Sequence, residues 1–146
     1  MKKSKKGLVV VISGPSGVGK STVVAELLKR SKDLKLSISA STRTPRPMEV
    51  NGKHYFFMNE EEFFEKVKKD DFLEYAFVHG SYYGTPKSFV KQTVEKGNIV
   101  ILEVDVQGAA NIKKFGNRGV FKGVPIVFIF LIPPSVDILA FRLKRR

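Results

Sequence analysis

Cysteine is absent from this chain of 146 residues. Its absence excludes a disulfide framework, thiolate nucleophiles and cysteine-ligated zinc, and it fits an intracellular, cytoplasmic protein. Histidine is scarce: His54 and His79 read as strand or turn residues rather than proton carriers. Long apolar runs are missing too. The start, "MKKSKKGLVVVISG", has the lysines of a signal peptide, but "LVVVI" is too short for its apolar region. The stretch "VPIVFIFLIPP" is bounded by prolines and falls far below the ~20 residues a membrane helix needs. It reads as a buried core strand, and no membrane partner is expected. Acids are few, 14 against 26 basic residues, for a net charge of +12. That excess invites a nucleic-acid reading, but no nucleic-acid motif accompanies it. A cleft that handles several phosphates needs the same positive charge. Neither repeats nor low-complexity segments occur, and the length suits one domain with a real core.

What is present is concentrated in "ISGPSGVGKSTVV". Gly14, Gly19, Lys20 and Ser21 fit G-x-x-x-x-G-K-[ST], the P-loop pattern, with Pro15, Ser16, Gly17 and Val18 inside it and Thr22 after it. Upstream, "GLVVVI" is the short β-branched run of a buried strand; downstream, Val23, Val24, Leu27 and Leu28 recur at helical spacing. Strand, glycine loop and helix form the context this motif requires. The loop's N–H groups can turn inward around phosphates, and the helix N-terminus adds partial positive charge. Lys20 then reaches the β- and γ-phosphates of a bound nucleotide, and the Ser21 hydroxyl ligates Mg²⁺.

Elements alternate along the rest of the chain. "LKLSISASTRTPRP" begins as an alternating strand and ends in a proline-punctuated loop, and "HYFF" is another short strand. "NEEEFFEKVKKDD" predicts a helix capped by Asn59, with acids in its first turn and lysines in its last. "FLEYAFVHGSYYG" predicts strands around a Gly-Ser turn. "TPKSFVKQTVEKG" predicts a helix with Thr85 at the cap, Pro86 at the first helical position and Gly97 closing it. "NIVILEVDVQG" and "IVFIFLI" are core strands, and "PPSVDILAFRLKRR" starts a helix capped by Ser135. The fold class is therefore α/β, a parallel sheet flanked by helices, interrupted by a smaller mixed subdomain. The expected division is core at residues 1–35, insert at 36–90, core at 91–133, and the start of a lid at 134–146.

Three features bear on the acceptor. In "STRTPRP", Arg43 and Arg46 lie three apart in a proline-stiffened loop, where two guanidinium forks suit a monoester phosphate. Solvated loop arginines would look the same. Tyr55 and Tyr83 can add hydroxyl donors or serve simply as core aromatics. Glu74 is a lone carboxylate among apolar residues in "FLEYA". It either points to solvent or faces the cleft, where a carboxylate accepts two parallel bonds from guanine and is left unpaired by adenine. Glu103 and Asp105 alternate with Val104, which puts both acids on one face at the end of a core strand. There they meet Mg²⁺ and substrate, or form an edge salt bridge.

The blocks "SGPSGVGKST", "SASTRTPRP", "VNGKHYFF", "FLEYA", "GSYYGTP" and "LEVDVQGA", in this order, resemble the guanylate kinases, which transfer phosphate from ATP to GMP. The resemblance implies a P-loop NTPase-type core with an inserted nucleoside-monophosphate-binding subdomain. It implies GMP-binding roles for Ser39, Arg43, Arg46, Tyr55, Glu74, Tyr83 and Thr85, with the arginines and tyrosines on the phosphate and the others near guanine. Glu103 and Asp105 match acidic positions between GMP and the magnesium, Asp105 reaching the ion through water. Arg142 and Arg146 match arginines that open a lid and close over the phosphates. With Lys20 and Arg43 they form the expected catalytic set. Met48 stands where the family usually has glycine, and "KKFGNRGVFKGVP" is longer than expected. Family members continue past the position of Arg146, so a molecule that ended there is expected to bind GMP and turn over poorly. Two alternatives stay open: a non-catalytic interaction module of the same fold, and a kinase for another nucleoside monophosphate. Oligomeric state is not legible.

Overall fold

The computed structural model describes residues 6–115 and 119–145. Arg146 and residues 116–118 of the long connection lie outside the described residues. The first strand, β1 (Leu8–Ser13), is apolar on both faces and sits inside a parallel sheet. Its neighbours are β7 (Ile99–Glu103) and β8 (Ile126–Phe130), and β2 (Leu34–Leu36) lies beyond β7, giving the order β2-β7-β1-β8. Alternation along the strands sends side chains to two separate cores. Val9, Val11, Val100 and Leu102 pack with Val90 and Val94 of α3 (Lys87–Glu95) and Ile112 of α4 (Val106–Phe115). Ile12 and Ile101 pack on the opposite face with Val24, Leu27 and Leu28 of α1 (Lys20–Arg30). Helices therefore cover both faces, as a buried parallel sheet requires.

A second sheet has the order β4-β3-β6-β5. It joins β3 (Ala40–Ser41), β4 (Phe56–Phe57), β5 (Phe72–Val78) and β6 (Ser81–Pro86), with β3–β4 parallel and the other pairings antiparallel. The sheet is roofed by α2 (Glu60–Lys68), whose fully buried Phe63 stacks on Phe72 at 4.7 Å between ring centroids. Asn59 caps α2 through a complete capping box with Glu62, as expected from "NEEE". Ser135 likewise caps α5 (Val136–Lys144) by accepting the Ile138 N–H.

Several expectations need correction. "LKLSISAS" is not one strand: Leu34–Leu36 pairs in the parallel sheet and Ala40–Ser41 in the mixed one, the chain crossing between them. The hairpin turn is His79-Gly80 rather than Gly-Ser, both residues at positive φ (49° and 80°), a backbone that matches the twist of the flanking strands. Thr85 does not cap α3. It belongs to β6, the cap is Pro86, and Gly97 at φ 77° does close the helix. An unexpected helix, α4, follows Asp105 directly. Finally, β8 is at the sheet edge among the described residues, with Val127 to Phe130 each 41–56% exposed, and so is not the buried core strand expected. No helix among the described residues is long and apolar enough to cross a membrane.

Candidate functional site

The donor loop lies where β1 hands over to α1. Gly14, Gly17 and Gly19 have φ of 153°, 82° and 102°, values that a side chain would strain at the latter two. Gly19 caps α1 without any side-chain bond, which leaves the helix's first N–H groups facing the loop as an anion site. Lys20 Nζ donates to the carbonyls of Gly14 (2.8 Å) and Pro15 (3.3 Å), so the ammonium folds back over the loop. Val18 is buried and its N–H donates to the Pro15 carbonyl, while Ser16, Ser21 and Thr22 are exposed. Ser21 Oγ donates to Glu103 Oε1 at 2.6 Å, joining the loop to the end of β7. A hydroxyl and a carboxylate this close form an oxygen donor set of the kind magnesium takes.

Above the loop lies α5. A Cβ built on Gly17 would sit 3.2 Å from the Leu143 side chain and 3.5 Å from that of Leu139, so these leucines rest against the loop. Arg142 Nη1 donates to the Val18 carbonyl at 3.2 Å. The expected lid arginine therefore reaches the P-loop.

The acceptor residues form two groups. In the first, Arg43 Nη2 donates to both oxygens of Glu49 at 2.9 Å, and Nη1 donates to the Thr44 carbonyl. Its guanidinium lies 5.4 Å from the Tyr55 ring centroid, and Tyr55 and Tyr83 are in edge contact at 6.0 Å. Burial alone would lower the Arg43 pKa, but bonds to Glu49 and Tyr83 outweigh it and raise it. Burial raises the Tyr55 phenol, and the Glu103 carboxylate raises it further. Glu103 thus acts on Ser21 and on this group together. Arg46 is exposed, with its N–H on Glu49 Oε2 at 3.3 Å.

In the second group, Glu74 is only 8% exposed. Its Oε1 accepts from the Thr85 hydroxyl at 2.7 Å, and its Oε2 is buried with no partner among the described residues. Desolvation, assisted by the nearby Asp105 charge, pushes this carboxyl up to about 7 against the Thr85 bond. Of the two orientations open in the sequence, Glu74 takes the buried one. A Cβ on Gly108 would meet Asp105 Oδ1 at 3.3 Å and Glu74 Oε2 at 3.4 Å, so both acids converge on the first turn of α4. Asp105 Oδ1 accepts the Gly108 N–H at 2.8 Å. The alternation expected to align Glu103 and Asp105 ends with β7, and the two acids serve different ends of the site. Ser39, between β2 and β3, is half-buried and its carbonyl accepts the Phe56 N–H.

Sequence reasoning missed Glu49 and Gly108. Pro47 at the second position of an Arg46–Glu49 turn was the available signal for Glu49; the Glu49 N–H closes that turn on the Arg46 carbonyl at 3.0 Å. A cavity of about 520 Å³ lined by Met58, Phe72, Lys87 and Lys91 holds none of the site residues and plays no part in this geometry.

A protein-family model described as guanylate kinase matches residues 6–146. The chain belongs to the guanylate kinase family. A guanylate kinase of Caldanaerobacter subterraneus subsp. tengcongensis is 53% identical over 142 residues, covering 97% of this chain and 66% of that protein. One from Clostridium tetani is 51% identical, covering 97% and 64%. A crystal structure of guanylate kinase from Anaplasma phagocytophilum superposes with a TM-score of 0.79 at 31% identity, over 96% of this chain and 67% of that one. The chain thus spans just under two thirds of the length of these two curated guanylate kinases. The parallel core sheet, the mixed second sheet and the P-loop are all shared features of the α/β architecture expected from the resemblance.

Proposed function

We propose that the chain carries the nucleotide sites of an ATP:GMP phosphotransferase, which converts ATP and GMP to ADP and GDP in the cytoplasm. One observation carries the reading: the Ser21 hydroxyl of the donor loop donates to Glu103 at 2.6 Å, which ties the loop to the carboxyl end of β7. Donor phosphates and acceptor phosphate would then meet at the carboxyl end of the parallel sheet.

On the acceptor side, Arg43, Arg46, Tyr55 and Tyr83 bind the GMP phosphate. Glu74, with Ser39, Thr85 and Asp105 beside it, reads guanine. The buried Oε2 of Glu74 lacks a partner, and a guanine N–H would supply one. On the donor side, the residues from Gly14 to Gly19, Pro15 excepted, offer backbone N–H groups to the ATP phosphates, and Thr22 follows them on α1. Lys20 can leave the loop carbonyls for a phosphate oxygen, a stronger, charged acceptor.

Magnesium fits the Ser21–Glu103 oxygen pair, and when bound it neutralises charge on the transferring phosphates. We place Glu103 nearest the ion, because Asp105 is engaged by the Gly108 N–H at the start of α4. Arg142 lies one hydrogen bond from the loop and needs little movement to reach a phosphate there; Arg146 has the same assigned role.

A GMP phosphate oxygen is already anionic near neutral pH, so no general base is needed. His54 is occupied by the Val50 N–H and His79 makes the hairpin turn. Positioning and electrostatics then supply the catalysis, and closure of α5 over the loop excludes water. The test is a coupled assay with ATP against GMP, dGMP, AMP, UMP and CMP. Turnover confined to the guanine nucleotides supports the reading. ATP and GMP causing no thermal stabilisation would replace it with the interaction-module alternative.

A further inference from the structure

The Arg43 guanidinium does not wait for substrate in open solvent. Glu49 takes both bonds of its Nη2 nitrogen at 2.9 Å, and the pair is largely out of water, with side chains 20% and 16% exposed. The rings of Tyr55 and Phe57 lie at 5.4 and 5.8 Å from the guanidinium carbon. Glu49 also binds the Arg46 N–H, so one carboxylate ties together the two arginines of the loop. Its own position comes from the Arg46–Glu49 turn, which Pro47 preorganises. Burial would raise the Glu49 carboxyl, yet the bonds from Arg43 and the Arg46 amide hold it below the usual range, so it stays ionised.

We infer that Glu49 is a positioning residue for the acceptor phosphate, fixing the Arg43 guanidinium and the Arg46 turn in the arrangement that receives a phosphate monoester. The inference rests on the phosphoryl-transfer reading above. A carboxylate on an arginine could equally compete with the incoming phosphate, and the geometry argues against that. Both Glu49 oxygens lie on Nη2, so Glu49 makes no bond to Nε or to Nη1, which gives one bond to Thr44. Arginine is a long, flexible side chain, and holding it before substrate arrives removes an ordering cost from binding.

The test is calorimetric titration of GMP and guanosine into wild type, Glu49→Ala, Arg43→Ala and the double variant. Freeing the guanidinium should weaken GMP binding by about 10- to 100-fold, the range expected for misplaced charge-assisted bonds. Guanosine, which has no phosphate, should bind both proteins alike. In the Arg43→Ala background, removing Glu49 should cause a much smaller loss, limited to its hold on the Arg46 turn, because most of its effect passes through Arg43. Glu49→Gln keeps one acceptor oxygen and should fall between, which covers the case in which the alanine variant does not fold. Equal or tighter GMP binding by Glu49→Ala would overturn positioning in favour of competition. Parallel loss of guanosine, or a loss undiminished when Arg43 is absent, would overturn it in favour of a general structural role. A wild type that binds no GMP refutes the underlying phosphotransferase reading instead, and this inference with it.

Discussion

Replacing Glu74 by glutamine tests the base-reading end of the site through two linked measurements. The substitution keeps shape and removes the charge. In the substrate-free protein the carboxyl titrates near 7, against an ordinary 4.5, chiefly because burial penalises the ionised form. The folded state therefore binds this proton more tightly than the unfolded chain. Its stabilising contribution is complete below about pH 4.5 and is lost as pH rises through about 7. At about 1.4 kcal/mol per pH unit, the loss across that window is about 3 kcal/mol. Urea denaturation at intervals from pH 4 to 8 should show wild type losing this much relative to Glu74→Gln. If Glu74 reads guanine as proposed, recognition needs the ionised form, so GMP affinity of wild type should climb up to tenfold per pH unit below 7 and then level off. The phosphate's own second ionisation, near about 6, is common to both proteins and cancels in the comparison. Glu74→Gln should lose the climb and bind GMP more weakly at pH 8, having lost a charge-assisted bond of about 1.5–3 kcal/mol. Parallel stability curves for the two proteins, or a GMP affinity whose pH dependence is the same in both, would refute the buried-carboxylate argument.

Other perturbations probe separate parts. Lys20→Ala should leave thermal stability and GMP binding near wild type while removing nearly all phosphoryl transfer; a tenth of wild-type turnover would sink the lysine's assignment. Glu103→Gln should raise the free magnesium needed for half-maximal turnover and leave guanosine affinity unchanged, read by titrating magnesium at fixed ATP. Gly84→Ala places a methyl 2.9 Å from the buried Phe72 ring, which should lower stability by about 1–3 kcal/mol in a denaturant titration.

The parts of the fold legible in the sequence are those whose chemistry is local. The P-loop declares itself through glycine spacing, and α2 through a cap, an acidic first turn and a basic last turn within thirteen residues of quoted sequence. Thr85 misled because its position before Pro86 satisfies the rule for a helix cap, while its hydroxyl is claimed by Glu74 across the hairpin. Helix α4 was hidden for the opposite reason. Its first turn contains Gly108, a poor helix former, and its cap, Asp105, continues the alternation of the preceding strand. The packing of Gly108 against Val104 Cβ and the two carboxylates explains why so small a residue stands there. Glu49 is invisible for a related reason. A carboxylate near two arginines in a loop could be solvated, and only the three-dimensional turn brings it onto Arg43.

The order of strands in the parallel sheet also governs when each half of the site can form. Leu8 pairs with Ile99 and Val9 with Ile126, so the strand that launches the P-loop meets neither hydrogen-bonded neighbour until the chain has been synthesised through those distant positions. The hairpin of β5 and β6 closes across His79-Gly80 and carries Glu74, Tyr83 and Thr85, all within one short loop of each other. Local closure is fast and distant pairing slow. As the chain leaves the ribosome, the acceptor hairpin can therefore assemble first. The donor loop stays an exposed apolar strand until its partners arrive, and that interval is when the nascent chain is most open to a chaperone or to self-association.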